Sequence, residues 1–299
     1  MDERWPFFTT DLELTNVCGQ NCIFCPRDKM SRPEGFISRE LFAALVPQLA
    51  EIDSRVTLCG MGNPLLHPSL PEIADICQAN NLKYGLTIQA PALSPDNINR
   101  IKMLAPAFIE ISFATLDKEL FAQIYPGQRL EDSLHGVEAL ACARKSTRGM
   151  VVVAVRTERE KLSQQEIENF WAEKKITCRQ PLCHSRGGHL SEKGLVLAKP
   201  SQIVRCGLFA THSFITWQGK LLACCHDLAG DTEIADLNLV RVKEAAQRKI
   251  EIMQNQMPYN LCLKCDEPTA HRPVPERPFP ESEKARSRYL KHSCQKPQA

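Results

Sequence analysis

Three cysteines, Cys18, Cys22 and Cys25, stand in the run LTNVCGQNCIFCPR with the spacing Cys-x3-Cys-x2-Cys, directly after a strand-like segment. Three thiolates are one short of a closed tetrahedral site, and the next histidine along the chain is His67. A structural zinc takes four protein ligands. A four-iron cubane held by three cysteines leaves one iron open to a ligand the protein does not supply. That vacant coordination position is the chemistry the spacing points to; zinc binding or incidental cysteines is the alternative.

The spacing, with the aromatic Phe24 beside the last cysteine, resembles the radical S-adenosylmethionine (SAM) enzymes. The resemblance implies a [4Fe–4S] cluster on Cys18, Cys22 and Cys25 whose open iron is chelated by the amino and carboxylate groups of SAM. One electron from the cluster then cleaves SAM to a 5'-deoxyadenosyl radical. A flavodoxin or ferredoxin is the implied reductant.

Further along, the chain reads CGMGNPLLHP. Gly60 and Gly62 permit close backbone approach to a ligand, or simply a tight strand–helix turn. The family usually carries Gly-Gly-Glu or Gly-x-Gly-Glu-Pro here, where backbone and acid meet the SAM amino group. This chain has Asn63 at the acid's position, which keeps a carbonyl acceptor and loses the charge. Ser112, in IEISFATLDKE, resembles the family serine that meets the SAM carboxylate or ribose; a satisfied strand-end hydroxyl is the other reading. Arg156, after the fifth strand, is either a partner for the SAM carboxylate or a solvated surface arginine. Thr87 and Gln89 stand where relatives often show Thr-Asn-Gly, and the departure (TIQAPA) leaves their role open.

A second set is Cys206, Cys224, Cys262 and Cys265, with 17 residues between the first two, Gly219-x4-Cys224 inside that interval and Cys-x2-Cys at the end. Four cysteines are also a standard structural zinc set. The pattern resembles the twitch domain, a shortened relative of the SPASM domain, which implies an auxiliary [4Fe–4S] cluster closed by four thiolates. Cys225 follows Cys224 directly, and strand alternation would face the two apart. Cys224 has the ligand spacing. Cys225 is then a spare buried thiol or a hydrogen-atom donor of the kind radical epimerases use, and Cys183 is a second candidate donor. Arg186-Gly187-Gly188 resembles a motif frequent in these enzymes, with Arg186 either binding an anionic or hydroxyl-bearing substrate or supporting the domain junction. Cys59, Cys77, Cys142, Cys178 and Cys294 have no partner spacing and read as small apolar fillers.

These residues need a scaffold, and the chain offers one. Its 299 residues, 43% of them hydrophobic, suffice for one large domain with a small appendage. A net charge of +2 makes no case for nucleic acid. No apolar run reaches membrane-spanning length, and the start lacks a signal-peptide pattern. Fourteen cysteines then point to metal in a reducing, cytoplasmic setting rather than to disulfides. Strands are expected at 11–16, 55–59, 83–89, 108–112, 150–155 and 177–182. Helices are expected at 38–51, 69–80, 94–103, 130–145 and 163–174, the last opened by Ser163 and Glu166 as a capping box. A hairpin over 213–217 and 220–224 and a helix over 237–255 follow.

Six strand–helix alternations predict a parallel sheet with helices outside. Periodicity does not say whether it closes; the resemblance implies a partial (β/α)6 TIM-like barrel with a C-terminal twitch or SPASM-like domain. The expected boundaries are 1–190 for the barrel, 191–268 for the cluster domain and 269–299 for a Pro- and charge-rich, poorly ordered tail. In such barrels, sites lie at the carboxyl ends of the strands, where the first three cysteines fall.

Three functions are consistent with this reading. The first is dehydrogenation or epimerisation of a polar small molecule, of the sugar or aminocyclitol class that short twitch enzymes process. The second is modification of a ribosomal precursor peptide, mildly disfavoured because a strand starting at residue 11 leaves no room upstream for a precursor-binding domain. The third is a non-enzymatic zinc or iron–sulfur scaffold, which does not explain three cysteines at a barrel mouth.

Overall fold

The computed structural model describes residues 5–199, 206–255 and 259–268. The expectations for the 269–299 tail and for Cys294 lie outside the described residues. In chain order the elements are β1 (Thr9–Leu12), α1 (Arg39–Glu51), β2 (Arg55–Leu58), α2 (Leu70–Ala79), β3 (Tyr84–Gln89), α3 (Pro95–Leu104), β4 (Phe108–Ser112), α4 (Lys118–Ile124), α5 (Leu130–Arg144), β5 (Met150–Val153), α6 (Gln164–Glu173) and β6 (Thr177–Arg179). Then come α7 (Gly207–Thr211), β7 (His212–Ile215), β8 (Lys220–Leu222), β9 (Glu233–Asp236), α8 (Val242–Gln254) and α9 (Asn260–Leu263).

The strands form one sheet in the order β6-β5-β4-β3-β2-β1-β7-β8-β9. Strands β1 to β6 are parallel, as the alternation predicts, and the sheet does not close. Strand β7 adds parallel to β1, and β8 and β9 return antiparallel. The C-terminal strands therefore extend the barrel sheet beside the strand that leads into the first cysteines.

Local chemistry accounts for the helix starts. Ser38 caps α1 by accepting from Leu41 N (3.1 Å), Ser94 caps α3, and Ser163 with Glu166 forms the expected capping box on α6. Helices α4 and α7 and strand β9 were not expected. Helix α4 does carry a legible start, the Asp117 cap on Leu120 N (2.8 Å), but its seven residues are too few to show a period.

The sheet has two unlike faces. Leu12, Leu58, Leu86, Ile88, Ile109, Ile111 and Val152 are fully buried in one cluster with Phe42, Leu45, Ile101, Leu140 and Trp171 of the helices. At about 25 cal/mol per Å2 of apolar surface, that layer supplies most of the drive to fold. The alternate residues, Asp11, Arg55, Thr57, Thr87, Glu110, Arg179 and His212, point the other way. These are polar, with Val151, Val153 and Phe214 sharing the face: Arg179 pairs with Glu110, and Arg55 lies over the Phe108 ring at 4.6 Å.

Where β7 joins β1, His212 places Nε2 3.2 Å from Asp11 Oδ2 and Nδ1 2.9 Å from Thr9 Oγ1. Burial pushes the His212 pKa down, but Asp11 and the nearby Cys225 outweigh it, and the net shift is upward. A base with a raised folded pKa lends stability that is complete below its ordinary value and vanishes as pH rises through the folded one. Asp11→Asn is accordingly expected to lower the melting temperature more at about pH 6 than at about pH 9, measured by thermal denaturation of both proteins across that range.

Candidate active site

Beyond β1 the chain lies over the carboxyl ends of the strands, and buried polar contacts fix its path. Glu13, 0% exposed, receives both Arg32 Nη atoms (2.8 and 3.1 Å), Met61 N (3.0 Å) and Trp217 N (3.3 Å). Asn16 bridges to Pro33 O and Gly35 N, and Arg27 Nη2 donates to Cys18 O (3.2 Å). Ile23 N donates to Ile124 O (3.0 Å), and Phe24 meets Tyr125 edge-on at 5.7 Å. Cys22 is buried, while Cys18 and Cys25 are half-buried. Burial, with the fields of Cys25 and Cys18, pushes the Cys22 thiol up to about 12, and burial likewise raises Cys18. Loading metal here must therefore expel protons.

The other residues singled out from the sequence fall at the same end of the sheet. A Cβ on Gly60 would lie 2.5 Å from Glu13 Cγ, and one on Gly62 2.4 Å from Thr15 O. Both glycines thus admit the neighbouring chain segment as it approaches the cysteines. Asn63 is buried, and its Oδ1 accepts from Leu65 N (3.0 Å), capping a short 3-10 turn. Ser112 ends β4 with its carbonyl accepting from Tyr125 OH (3.1 Å). Arg156 follows β5, its backbone bridged to the 181–183 segment. Its half-buried guanidinium has no partner among the described residues.

Cys206, Cys224, Cys262 and Cys265 line one pocket, together with His212, His226, Tyr259 and Glu267. Two contacts dock the Cys262–Cys265 segment. Asp266 accepts from Ser185 N and Oγ (2.7 Å to Oγ), and Gly187, at φ +70°, leaves room where a Cβ would meet Leu261 Cδ1 at 2.3 Å. Arg186 sits in that turn with φ +55°. Asp227 holds the turn after Cys224 by accepting from Gly230 N, Thr232 N and Thr232 Oγ1.

Strand alternation does not separate Cys224 from Cys225. Strand β8 ends at Leu222, so both lie in the following turn, and their sulfurs and a His226 nitrogen all fall within 4.8 Å of one another. Cys224 lines the pocket and Cys225 does not. Cys225 is instead held low by the Cys224 thiol and by His226 and His212. His184, His226 and Glu267 went unnoticed in the sequence, although His226 adjoins Cys225 and Glu267 follows Cys265-Asp266. His184 Nε2 lies 2.8 Å from Glu267 Oε2, and His226 bonds to Cys225 and Cys265.

A model of the radical SAM superfamily matches residues 12–162, half of the chain. The chain belongs to this superfamily. A probable GTP 3',8-cyclase of Methanococcus maripaludis is 25% identical over 128 residues, 42% of this chain and 43% of that relative. This chain therefore matches under half of the length of that relative. Among solved structures, BtrN in complex with AdoMet and 2-DOIA superposes with a TM-score of 0.61 at 14% identity, covering 91% of this chain and 97% of that one. Streptococcus suis SuiB bound to precursor peptide SuiA gives 0.65 at 15% identity, covering 88% and 70%. At these identities the likeness is one of fold, the partial barrel that radical SAM enzymes share.

The superfamily implies a [4Fe–4S] cluster and SAM, and Cys18, Cys22 and Cys25, three thiols in one short loop beyond β1, fit a cluster that keeps one iron open. In the second group, Cys224, Cys225 and His226 bring ligand atoms within 4.8 Å of one another.

The Glu13–Arg32 pair gives a stability test. With Arg32 only 4% exposed, Glu13→Ala leaves a buried cation unpaired and frees Met61 N and Trp217 N. It is expected to cost about 3–5 kcal/mol by denaturant unfolding.

Proposed function

We propose that this chain cleaves SAM reductively and takes a hydrogen atom from a polar small molecule of the sugar or aminocyclitol class, in a dehydrogenation or an epimerisation. The observation that carries the reading is that three thiols follow the carboxyl end of β1 while four more line a pocket against β7, the strand paired with β1, beside a sheet face that carries charged side chains. Lys193, from the segment beside the second pocket, reaches Asp28 just after Cys25 (3.5 Å). Below them stand Asp11, Arg55, Glu110 and Arg179, with Thr57 and Thr87. Such a floor suits a compact hydroxyl- or amine-bearing substrate. Peptide modification is the second reading, since the sheet does not close and ends at β6 and β9, where an extended peptide can add through main-chain hydrogen bonds.

The chemistry supplied by a cluster with one open iron is one-electron reductive cleavage of SAM, the electron coming from a flavodoxin or ferredoxin. The chain's own residues do the rest. Cys18, Cys22 and Cys25 hold that cluster. The Gly60–Gly62 turn and Asn63 border the SAM amino group, Arg156 pairs with its carboxylate, and Ser112 meets the carboxylate or ribose. Buried Cys22 and the Phe24–Tyr125 contact keep water from one flank. Cys206, Cys224, Cys262 and Cys265 hold an auxiliary [4Fe–4S] cluster in a twitch-like unit. Arg186 serves substrate hydroxyl or anionic groups from its docking turn.

Cys225 is the hydrogen donor in the epimerisation branch, and that role needs a thiol, not a thiolate. The Cys224 thiol lends Cys225 a hydrogen bond, and His226 and His212 add to it in holding Cys225 low. A Cys224 committed to iron would no longer donate, which favours the protonated form of Cys225 against the pull of the two histidines.

Anaerobically reconstituted protein is expected to hold about eight irons per chain, and Cys224→Ala about four. Replacing Cys18, Cys22 or Cys25 with Ala should abolish formation of 5'-deoxyadenosine under reductant, read by chromatography. For the second branch, turnover in deuterated water should place one solvent deuterium on the product carbon, and Cys225→Ala should remove it. An unchanged isotope pattern in that variant would end the donor assignment.

A further inference from the structure

Lys249 of α8 is the one fully buried lysine among the described residues, at 0% exposure. Its Nζ meets His212 O, Ser213 Oγ (3.0 Å) and Pro6 O (3.4 Å), and lies over the Phe209 ring at 4.9 Å. None of these partners is anionic, and no carboxylate pairs with it among the described residues. Burying an ammonium without a counter-ion is expensive. Burial accordingly pushes Lys249 down to about 7. The groups whose ionised forms would act on it are Cys206 and Cys224, two of the four pocket thiols. Phe209, beneath the ammonium, also donates its N–H to Cys206 Sγ (3.3 Å). The lysine thus stands directly behind the wall of the pocket.

We infer that Lys249 is the built-in counter-charge of the Cys206–Cys224–Cys262–Cys265 pocket, a buried cation set there to balance the negative charge of a thiolate-bound cluster and to raise its reduction potential. The inference rests on the reading that these four cysteines hold an auxiliary cluster. Reduction of such a cluster adds negative charge, and a fixed cation in a low-dielectric wall favours the reduced form. Lys249 is a positioning and tuning residue, since its Nζ contacts neither substrate nor the four sulfurs. A purely structural role, stapling α8 to β7 and to Pro6, would depend on hydrogen-bond donors and not on charge.

Three variants separate charge from shape. Lys249→Met removes both charge and donors, Lys249→Gln keeps a neutral donor, and Lys249→Arg keeps the charge. Each is purified anaerobically beside wild type and Cys224→Ala, assayed for iron, and titrated potentiometrically with the paramagnetic signal of each cluster followed separately. The auxiliary cluster of the Gln and Met variants is expected to be at least tenfold more oxidised at a fixed ambient potential, a fall of about 59 mV for one electron. The Arg variant and the SAM-site cluster should match wild type. If Met fails to fold, Gln carries the test, because its amide still offers two N–H donors to the oxygens that Lys249 meets. An auxiliary potential unchanged in Gln, or equal shifts of both clusters, overturns the counter-charge role while leaving the cluster reading intact. A wild type with about four irons, all retained in Cys224→Ala, overturns both.

Discussion

The site depends on one buried ion pair. Glu13 is the first residue beyond β1, and its carboxylate gathers Arg32 from the cysteine loop, Met61 from the glycine turn and Trp217 from the β7–β8 turn. Four segments distant in sequence are thereby registered at the carboxyl end of one strand. Buried charges are tolerated only when every lone pair and proton finds a partner, and that requirement converts a desolvation cost into positional precision. Gly60 belongs to the same arrangement, since only a residue without Cβ leaves space for the Glu13 side chain.

The second pocket is assembled by the same kind of device. Asp266 fastens the Cys262–Cys265 segment to Ser185, and Asp227 closes the turn that presents Cys224. Each carboxylate is buried and takes main-chain as well as hydroxyl donors, so the turns they stabilise have little freedom. Because β7 pairs with β1, the pocket is built against the barrel sheet itself, and the Asp11–His212 contact crosses that seam.

Much of the scaffold was legible in the sequence. The order of six strands and their helices follows from period and capping residues, and Ser38 and Ser163 cap as their positions suggest. Strand ends were less so: β1 runs Thr9–Leu12, not 11–16, because residues after Leu12 leave the sheet to satisfy Glu13 and Asn16. The twofold alternation invoked for Cys224 and Cys225 failed because the ladder ends at Leu222. The Asn63 amide, read as a weakened ligand for SAM, is engaged at its oxygen in a turn cap, a local bond no spacing rule reveals. Glu13 falls inside the expected strand at 11–16, and no spacing singles it out.

The sequence by itself determined the chemistry. Three thiols at Cys-x3-Cys-x2-Cys, four more at wider intervals and a parallel α/β pattern suffice to expect open-iron cluster chemistry, because ligand number and spacing are local properties. Tertiary structure alone decided what surrounds those sulfurs. Arg32 with Glu13, His184 with Glu267, and Lys249 behind Cys206 are contacts across 19 to 83 residues of chain. Their worth lies in burial, and burial is a property of the packed whole that no short window of residues contains.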